Sequence, residues 1–356
     1  MAISSALGSS ALLPAGLGFR NTVINGHMRI AQRGSTAVST NDTFPVDRWK
    51  VSTATSGAWT SQQIPSSTTA TPAGFDYSLN FTKTIGGTAA AGDYNYFVHA
   101  IEGNNCAFFD WGTSNAKTLT LSFWVRSGAT GTFGGSLRNS AANYAYCFTY
   151  TVNAINTWEY KTIQIPGVTA GTWAKDTSAG IVLFFDLGSG ANARGTAGIA
   201  TGNYVGTTGT SLYPNNTTGG YINFTGVQLE QNLQPTPFEQ RPIGVELALC
   251  QRYYYRRSQL GGYNFIDGMG VGVNYSGAVH CSFQNPVDMR TAPTFSVVSG
   301  SLGVDAYGAA SAVTYSQQWT STKGGRIGFS TSGLTDYRPY FLIGNPDSTV
   351  QFNSEL

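Results

Sequence analysis

From Asn21 to about Gln240, apolar and polar side chains alternate with a period of two. In "KTLTLSFWVR", Leu119, Leu121, Phe123 and Val125 share one face while Thr118, Thr120 and Ser122 share the other, as in a half-buried strand. The runs "YSLNFTK" (77–83), "NYFVHAI" (95–101), "YAYCFTYT" (144–151), "EYKTIQI" (159–165), "GIVLFFDL" (180–187) and "YINFTGVQL" (221–229) repeat the pattern. These are enough strands for a two-sheet sandwich. Between them, "SGATGTFGGS" (127–136) and "YVGTTGTSLYPNNTTGG" (204–220) read as loops at the sandwich ends, where glycine permits left-handed turns.

The alternation stops at "QPTPFEQRP". Pro235, Pro237 and Pro242 remove amide donors and push the preceding residues to extended conformations. Pro242 also suits the first turn of a helix, and "IGVELALCQRYYYRRS" reads as one short helix with Ile243, Leu247, Cys250 and Tyr254 in register. Val245, Ala248 and Leu249 make its other sides apolar, and such a helix is buried between neighbours. Leu247, Cys250, Tyr253, Tyr254 and Arg256 are therefore expected at an interface between domains or between subunits, where tyrosine and arginine are enriched. A helix buried inside one subunit fits the same residues. Period two returns after Gly261 in "AVHCSFQNPV", "TFSVVSGSLGV", "AVTYSQQW", "GRIGFST" and "YRPYFLIG". The chain thus divides into a lead (1–20), a sandwich (21–240), a helical junction (241–260) and a smaller β-domain (261–356), an all-β protein with one short helix.

Composition fits two β-cores. The 356 residues include 44 Gly, only 11% charged and 13% aromatic residues, which is long enough for two cores and too rich in aromatics for disorder. A net charge of +2 without a run of either sign excludes a nucleic-acid groove. The lead "MAISSALGSSALLPAGLGF" lacks the basic start of a signal peptide and is too broken to span a membrane. It is expected to dock to a larger assembly, and the Asn-x-Ser/Thr triplets at Asn80, Asn216 and Asn223 are then compositional accidents. Cys106, Cys147, Cys250 and Cys281 form no CxxC pair, so small buried thiols of a protein made in a reducing cytoplasm are expected rather than zinc ligands.

Catalytic signals are sparse. There is no GxSxG, HExxH, P-loop, EF-hand loop or GxGxxG after a strand, and only His27, His99 and His280 could serve as imidazole bases. A glycosidase needs two facing carboxylates, for which Glu102, Asp110, Asp176 and Asp186 are the available acids. Asp186 stands out inside "LFFDL", although a strand-end acid turned to solvent explains it more simply. No enzyme is expected. For sugar binding, a flat aromatic beside polar loop groups is required. Trp59, Trp173 and Tyr213 stand in polar, Gly-rich contexts and are the stacking candidates, or else aromatics packed over a sandwich end. Trp111, Trp124 and Trp158 are expected in the core.

The segments "RNTVINGHMRIAQRG", "FPVDRW", "TGVQLEQ...TPFEQRP", "ELALCQRYYYR", "NPVDMRTAPTF" and the final "NSEL", in that order over nearly the whole chain, resemble a family of bacteriophage tail-fibre and head-fibre proteins. The resemblance implies a jelly-roll sandwich like that of carbohydrate-binding modules, a homotrimer in the virion, and host attachment through cell-surface glycans. Residues 1–20 are then expected to dock to other virion proteins, and no cofactor is expected beyond a structural cation such as calcium, which many jelly-roll modules resembling this one carry. A purely structural tail or capsid decoration protein and a polysaccharide depolymerase are the alternatives. The lead matches no motif of that family.

Overall fold

The computed structural model describes residues 19–258, 266, 269, 272–275, 277–305, 311–344 and 348–356. The lead, and with it the docking role expected of residues 1–20, lies outside these apart from Phe19 and Arg20. The protein is all-β: a jelly-roll sandwich, a short helix and a smaller C-terminal β-domain. One sandwich sheet has five strands in the order Ala58–Pro65, Tyr77–Ile85, Gly220–Glu230, Leu119–Ser127, Glu159–Ile165. The other has seven, in the order Thr43–Val46, Trp49–Thr53, Asn95–Glu102, Ala179–Asp186, Gly131–Arg138, Tyr144–Val152, Gly198–Thr201. The apolar face of each strand meets its counterpart in one aromatic core. Phe185 stacks on Phe224 at 4.3 Å and meets Phe123 edge-on at 4.9 Å. A second core, including Tyr255, Val279, Phe283, Phe329 and Phe352, fills the C-terminal domain.

Two local expectations are corrected. "SGATGTFGGS" is not all loop, because Gly131–Arg138 is an interior strand of the seven-stranded sheet. Its glycines are a packing requirement: a Cβ on Gly135 would stand 2.3 Å from the Phe184 carbonyl and 2.4 Å from the Phe148 ring. The helix is also shorter than the pattern suggests. It spans Ile243–Gln251, and Tyr254–Ser258 is a strand paired with Thr349–Asn353. Nor is the helix buried all round, since Ile243 is 46% and Val245 36% exposed.

The segments that carry the resemblance meet at this junction. Asn21 donates to the Val227 carbonyl and accepts from the amides of Val23 and Leu229, fixing the chain start along the strand Gly220–Glu230. Asn25 sits in the left-handed region (φ 58°), which Asn tolerates, and its amide clamps residues 29–30 and the Asp47 carbonyl. Arg241 is ion-paired to Glu246 and Glu239 and donates to the Asn21 and Val23 carbonyls. Glu246 in turn accepts the Asn25 amide. Arg252 grips Glu102 with two hydrogen bonds of 2.9 and 2.6 Å, and the Tyr253 hydroxyl donates to the same carboxylate at 2.8 Å. Arg48, buried, pairs with Glu355 and lies 3.5 Å over the Tyr253 ring. Arg33 lies 3.3 Å over Tyr254 and also reaches Glu355. Arg290 donates to the carbonyls of Ser354 and Glu355.

Cys250 and Tyr253 complete a small core with Ile24 and Ile30, against which Leu247 packs half-buried. Arg256 donates to the Tyr254 hydroxyl and to the Arg33 carbonyl. Cys250, Tyr253 and Tyr254 are thus enclosed within one chain, which removes them as contacts for a second copy. Their contacts join the sandwich to the C-terminal domain instead.

Candidate functional site

Alternation turns Phe97, His99 and Ile101 of the strand Asn95–Glu102 inward and leaves Tyr96, Val98 and Ala100 on the outer face of the seven-stranded sheet. The neighbouring strand turns Ile181, Leu183 and Phe185 inward and Val182 and Phe184 outward. The outer face therefore carries an apolar floor. Arg48, Lys50, Phe44, Arg138, Ser140 and Leu356 rise around it and enclose a groove of about 210 Å³. Pockets for drug-sized ligands run from roughly 300 to 1,000 Å³. This groove suits a single ring.

Its aromatics are ordered relative to one another. Tyr96 meets Phe184 edge-on at 5.0 Å, Tyr94 lies 5.5 Å from Tyr96, and the Arg138 guanidinium stands 4.5 Å over Phe184. Burial pushes the Tyr96 hydroxyl above its ordinary pKa, so it remains a protonated donor and acceptor. Arg138 donates to the Asn203 side-chain oxygen, while its Nε is buried without a hydrogen-bond partner. Desolvation lowers its pKa from the usual arginine value. Among the described residues no carboxylate pairs with Arg138, whereas Arg48 has Glu355 and Lys50 has Asp42 at 3.5 Å. Neither a histidine nor an acidic side chain lines the groove. An apolar floor, ring edges, a hydroxyl and a cation can hold a sugar ring, but they supply neither nucleophile nor base.

The three residues expected to stack on sugars are placed elsewhere. Trp59 points inward from the strand Ala58–Pro65, 8% exposed, and stacks on Phe81 at 5.9 Å. Its polar neighbours concealed a strand. Trp173 is 7% exposed, meets Trp111 edge-on at 4.8 Å and donates its indole N–H to the Ala170 carbonyl at 3.0 Å. Tyr213 begins a one-turn helix, Tyr213–Asn216, and its hydroxyl lies 2.3 Å from where a Cβ on Gly128 would be. The two tryptophans are core residues and Tyr213 is a half-buried packing residue, which corrects the stacking assignment. Trp111 is in the core as expected. Trp124 and Trp158 are only half-buried; Trp124 lies 5.3 Å from Tyr160, and the Trp158 indole N–H donates to the Ala70 carbonyl at 2.6 Å.

The acids also have occupations. Asp186 is not turned to solvent; it is buried, caps the amides of Gly188 and Ser189 and pairs with Arg194 at 2.8 Å. Glu102 is held by Arg252 and Tyr253. Asp110 lies 3.9 Å from Lys175, and exposed Asp176 accepts from Ser178. Among the described residues no group of three or more His, Cys, Asp or Glu could hold a metal ion. All four cysteines are free and buried, and burial raises the thiols of Cys106 and Cys281 to about 12.

Buried imidazoles give the fold an acid limit. His99 donates to the Arg48 carbonyl and accepts the Ile24 amide, so it is neutral, and burial holds its pKa well below 6.5. Burial likewise lowers His27 to about 4. Both contributions are complete above pH 6.5 and are lost as pH falls towards the folded-state values. Asp47 opposes them, because burial raises it to about 6 and its contribution is lost as pH rises through that value. From pH 7 to 5 His27 removes about 2 kcal/mol, His99 adds to that loss, and Asp47 returns about 1. Urea unfolding should therefore show a net loss of stability at pH 5 relative to pH 7; a gain, the effect of Asp47 alone, would show that the histidines titrate normally.

No family model and no curated protein matches the chain. Three solved structures show what the chain is similar to. The enzymatically active domain of bacteriophage CBA120 tailspike protein 4 aligns with TM-score 0.32 and 13% identity over 60% of this chain and 22% of its own length. A putative sugar binding protein from Bacteroides thetaiotaomicron gives 0.33 and 10%, over 60% and 100%. The family 11 carbohydrate-binding module of the Clostridium thermocellum cellulase Lic26A-Cel5E gives 0.27 and 11%, over 57% and 99%. Scores this low carry no argument about function.

Proposed function

We propose that the chain is a non-catalytic subunit of a bacteriophage fibre or spike, made in the host cytoplasm and assembled as a homo-oligomer, whose sandwich binds a host-surface glycan. One observation carries the binding assignment: a ring-sized groove with an apolar floor, a protonated tyrosine hydroxyl and an arginine without a carboxylate partner opens on the outer face of a rigid sheet. The ordered segments from Arg20 to Leu356 support the virion assignment. Exposed apolar side chains, Phe19, Phe108, Ile243 and Val245, each 36–52% exposed, support contact between copies.

The groove assignment is tested with the whole chain on an oligosaccharide array, followed by calorimetric titration of the tightest binder. Tyr96→Ala should weaken that binder at least tenfold and leave thermal unfolding within a few degrees of wild type. Wild-type affinity in Tyr96→Ala would exclude the groove. No binding by the wild-type chain to any host-surface glycan would exclude glycan attachment altogether.

A further inference from the structure

The groove is charged on one side only, which narrows the class of sugar beyond the glycan-binding reading on which this inference rests. Three cationic side chains line it, Arg48, Lys50 and Arg138, and no acidic side chain does. Arg48 is matched by Glu355 and Lys50 by Asp42. Arg138 has no such match among the described residues. Its Nη1 is committed to Asn203, while Nε is buried with no hydrogen-bond partner. With Nη1 engaged and Nε buried, the guanidinium still offers Nη2 to a ligand in the groove as a charge-assisted donor, which a carboxylate accepts more strongly than a neutral oxygen does. A cation left unpaired over an apolar floor is costly unless a ligand anion completes it.

Phe184 fixes where that anion would sit. The guanidinium carbon lies 4.5 Å from the ring centroid, which holds the cation in position, and Tyr96 stands perpendicular to the same ring. A sugar ring over Val98 and Val182 would turn a ring substituent towards Arg138 and its hydroxyls towards Tyr96 and the rim residue Ser140.

We infer that the groove selects an acidic sugar, one whose ring carries a carboxylate, and that Arg138 is the residue that reads it. The neutral ring would be held by the floor and Tyr96, and the carboxylate would add the preference.

The test is calorimetric titration of the full chain with uronate-containing oligosaccharides and with the same oligosaccharides after reduction of each carboxyl to a primary alcohol. The acidic forms should bind at least tenfold more tightly, with the advantage shrinking as salt is raised. Arg138→Gln should bring both forms to the affinity of the neutral one, and Arg138→Lys should keep part of the preference, because charge remains but the planar guanidinium over Phe184 is lost. Thermal unfolding of each variant separates misfolding from lost recognition. Equal affinity for the acidic and reduced forms in the wild type overturns the selectivity and leaves glycan binding standing. A preference that survives in Arg138→Gln overturns the role of Arg138. Failure of both forms to bind overturns the inference together with the reading beneath it.

Discussion

Glu355→Ala is expected to lower stability by about 3–5 kcal/mol, although the residue stands next to last in the sequence. Its carboxylate is the counter-ion of the buried guanidinium of Arg48 and of the half-buried one of Arg33, whose side chains are 1% and 15% exposed. Removing one partner of a buried pair leaves the other charge without compensation, which costs far more than the pair itself contributes. Here Arg48 is stranded, while Arg33 keeps Asp47 at 3.8 Å; each is stacked on a tyrosine of the junction. Equilibrium unfolding in urea should show a lower midpoint. Glu355→Gln should fall between, keeping hydrogen-bond acceptors without the charge. A loss below about 1 kcal/mol for Glu355→Ala would mean that water reaches these arginines and that the junction is not a buried ionic lock.

Trp59→Ala and Trp173→Ala should behave as core deletions. Each removes a large aromatic packed inside the sandwich, Trp59 on Phe81 and Trp173 on Trp111, and such truncations cost about 3–5 kcal/mol. Trp173→Ala also leaves Gly112 facing a void, since the indole lies 3.0 Å from where its Cβ would be. Glycan affinity of the folded fraction should stay within about twofold of wild type. Large losses of affinity at unchanged stability would place the binding surface at the loop aromatics and not in the groove.

Much of the fold is visible in the alternation of the strands, because a strand with one buried face must alternate whatever its partners are. Tyr77–Ile85 and Glu159–Ile165 match their runs closely. Gly131–Arg138 does not advertise itself, since close approach of Phe148 demands glycine where a strand would ordinarily show β-branched residues. "YYYRRS" misleads for another reason. Three successive tyrosines serve three environments: Tyr253 the junction core, Tyr254 the stack beneath Arg33, and Tyr255 the second core, where it stacks on Phe352 at 4.6 Å. No single period can describe them.

The groove left a trace that becomes readable only with the topology known. "LFFDL" places Phe184 and Phe185 on opposite faces, so one of them must lie outside the sandwich core. Which of them it is, and that Arg138 and Tyr96 would join it, depends on strand pairings that bring Phe184 opposite Ser136 and Val98. The junction is still less accessible to sequence alone, because Arg48 and Glu355 are 307 positions apart. The segments bearing the family resemblance proved to build that junction, and the groove residues Tyr96, Arg138 and Phe184 fall outside all of them.

Hydrogen exchange of the whole chain with and without its tightest glycan addresses the groove most directly. Binding there predicts slowed exchange in 94–100, 138–140 and 182–184, with 56–62 and 170–175 unchanged. Protection confined to those last two segments, or to the outer face of the five-stranded sheet, would contradict it.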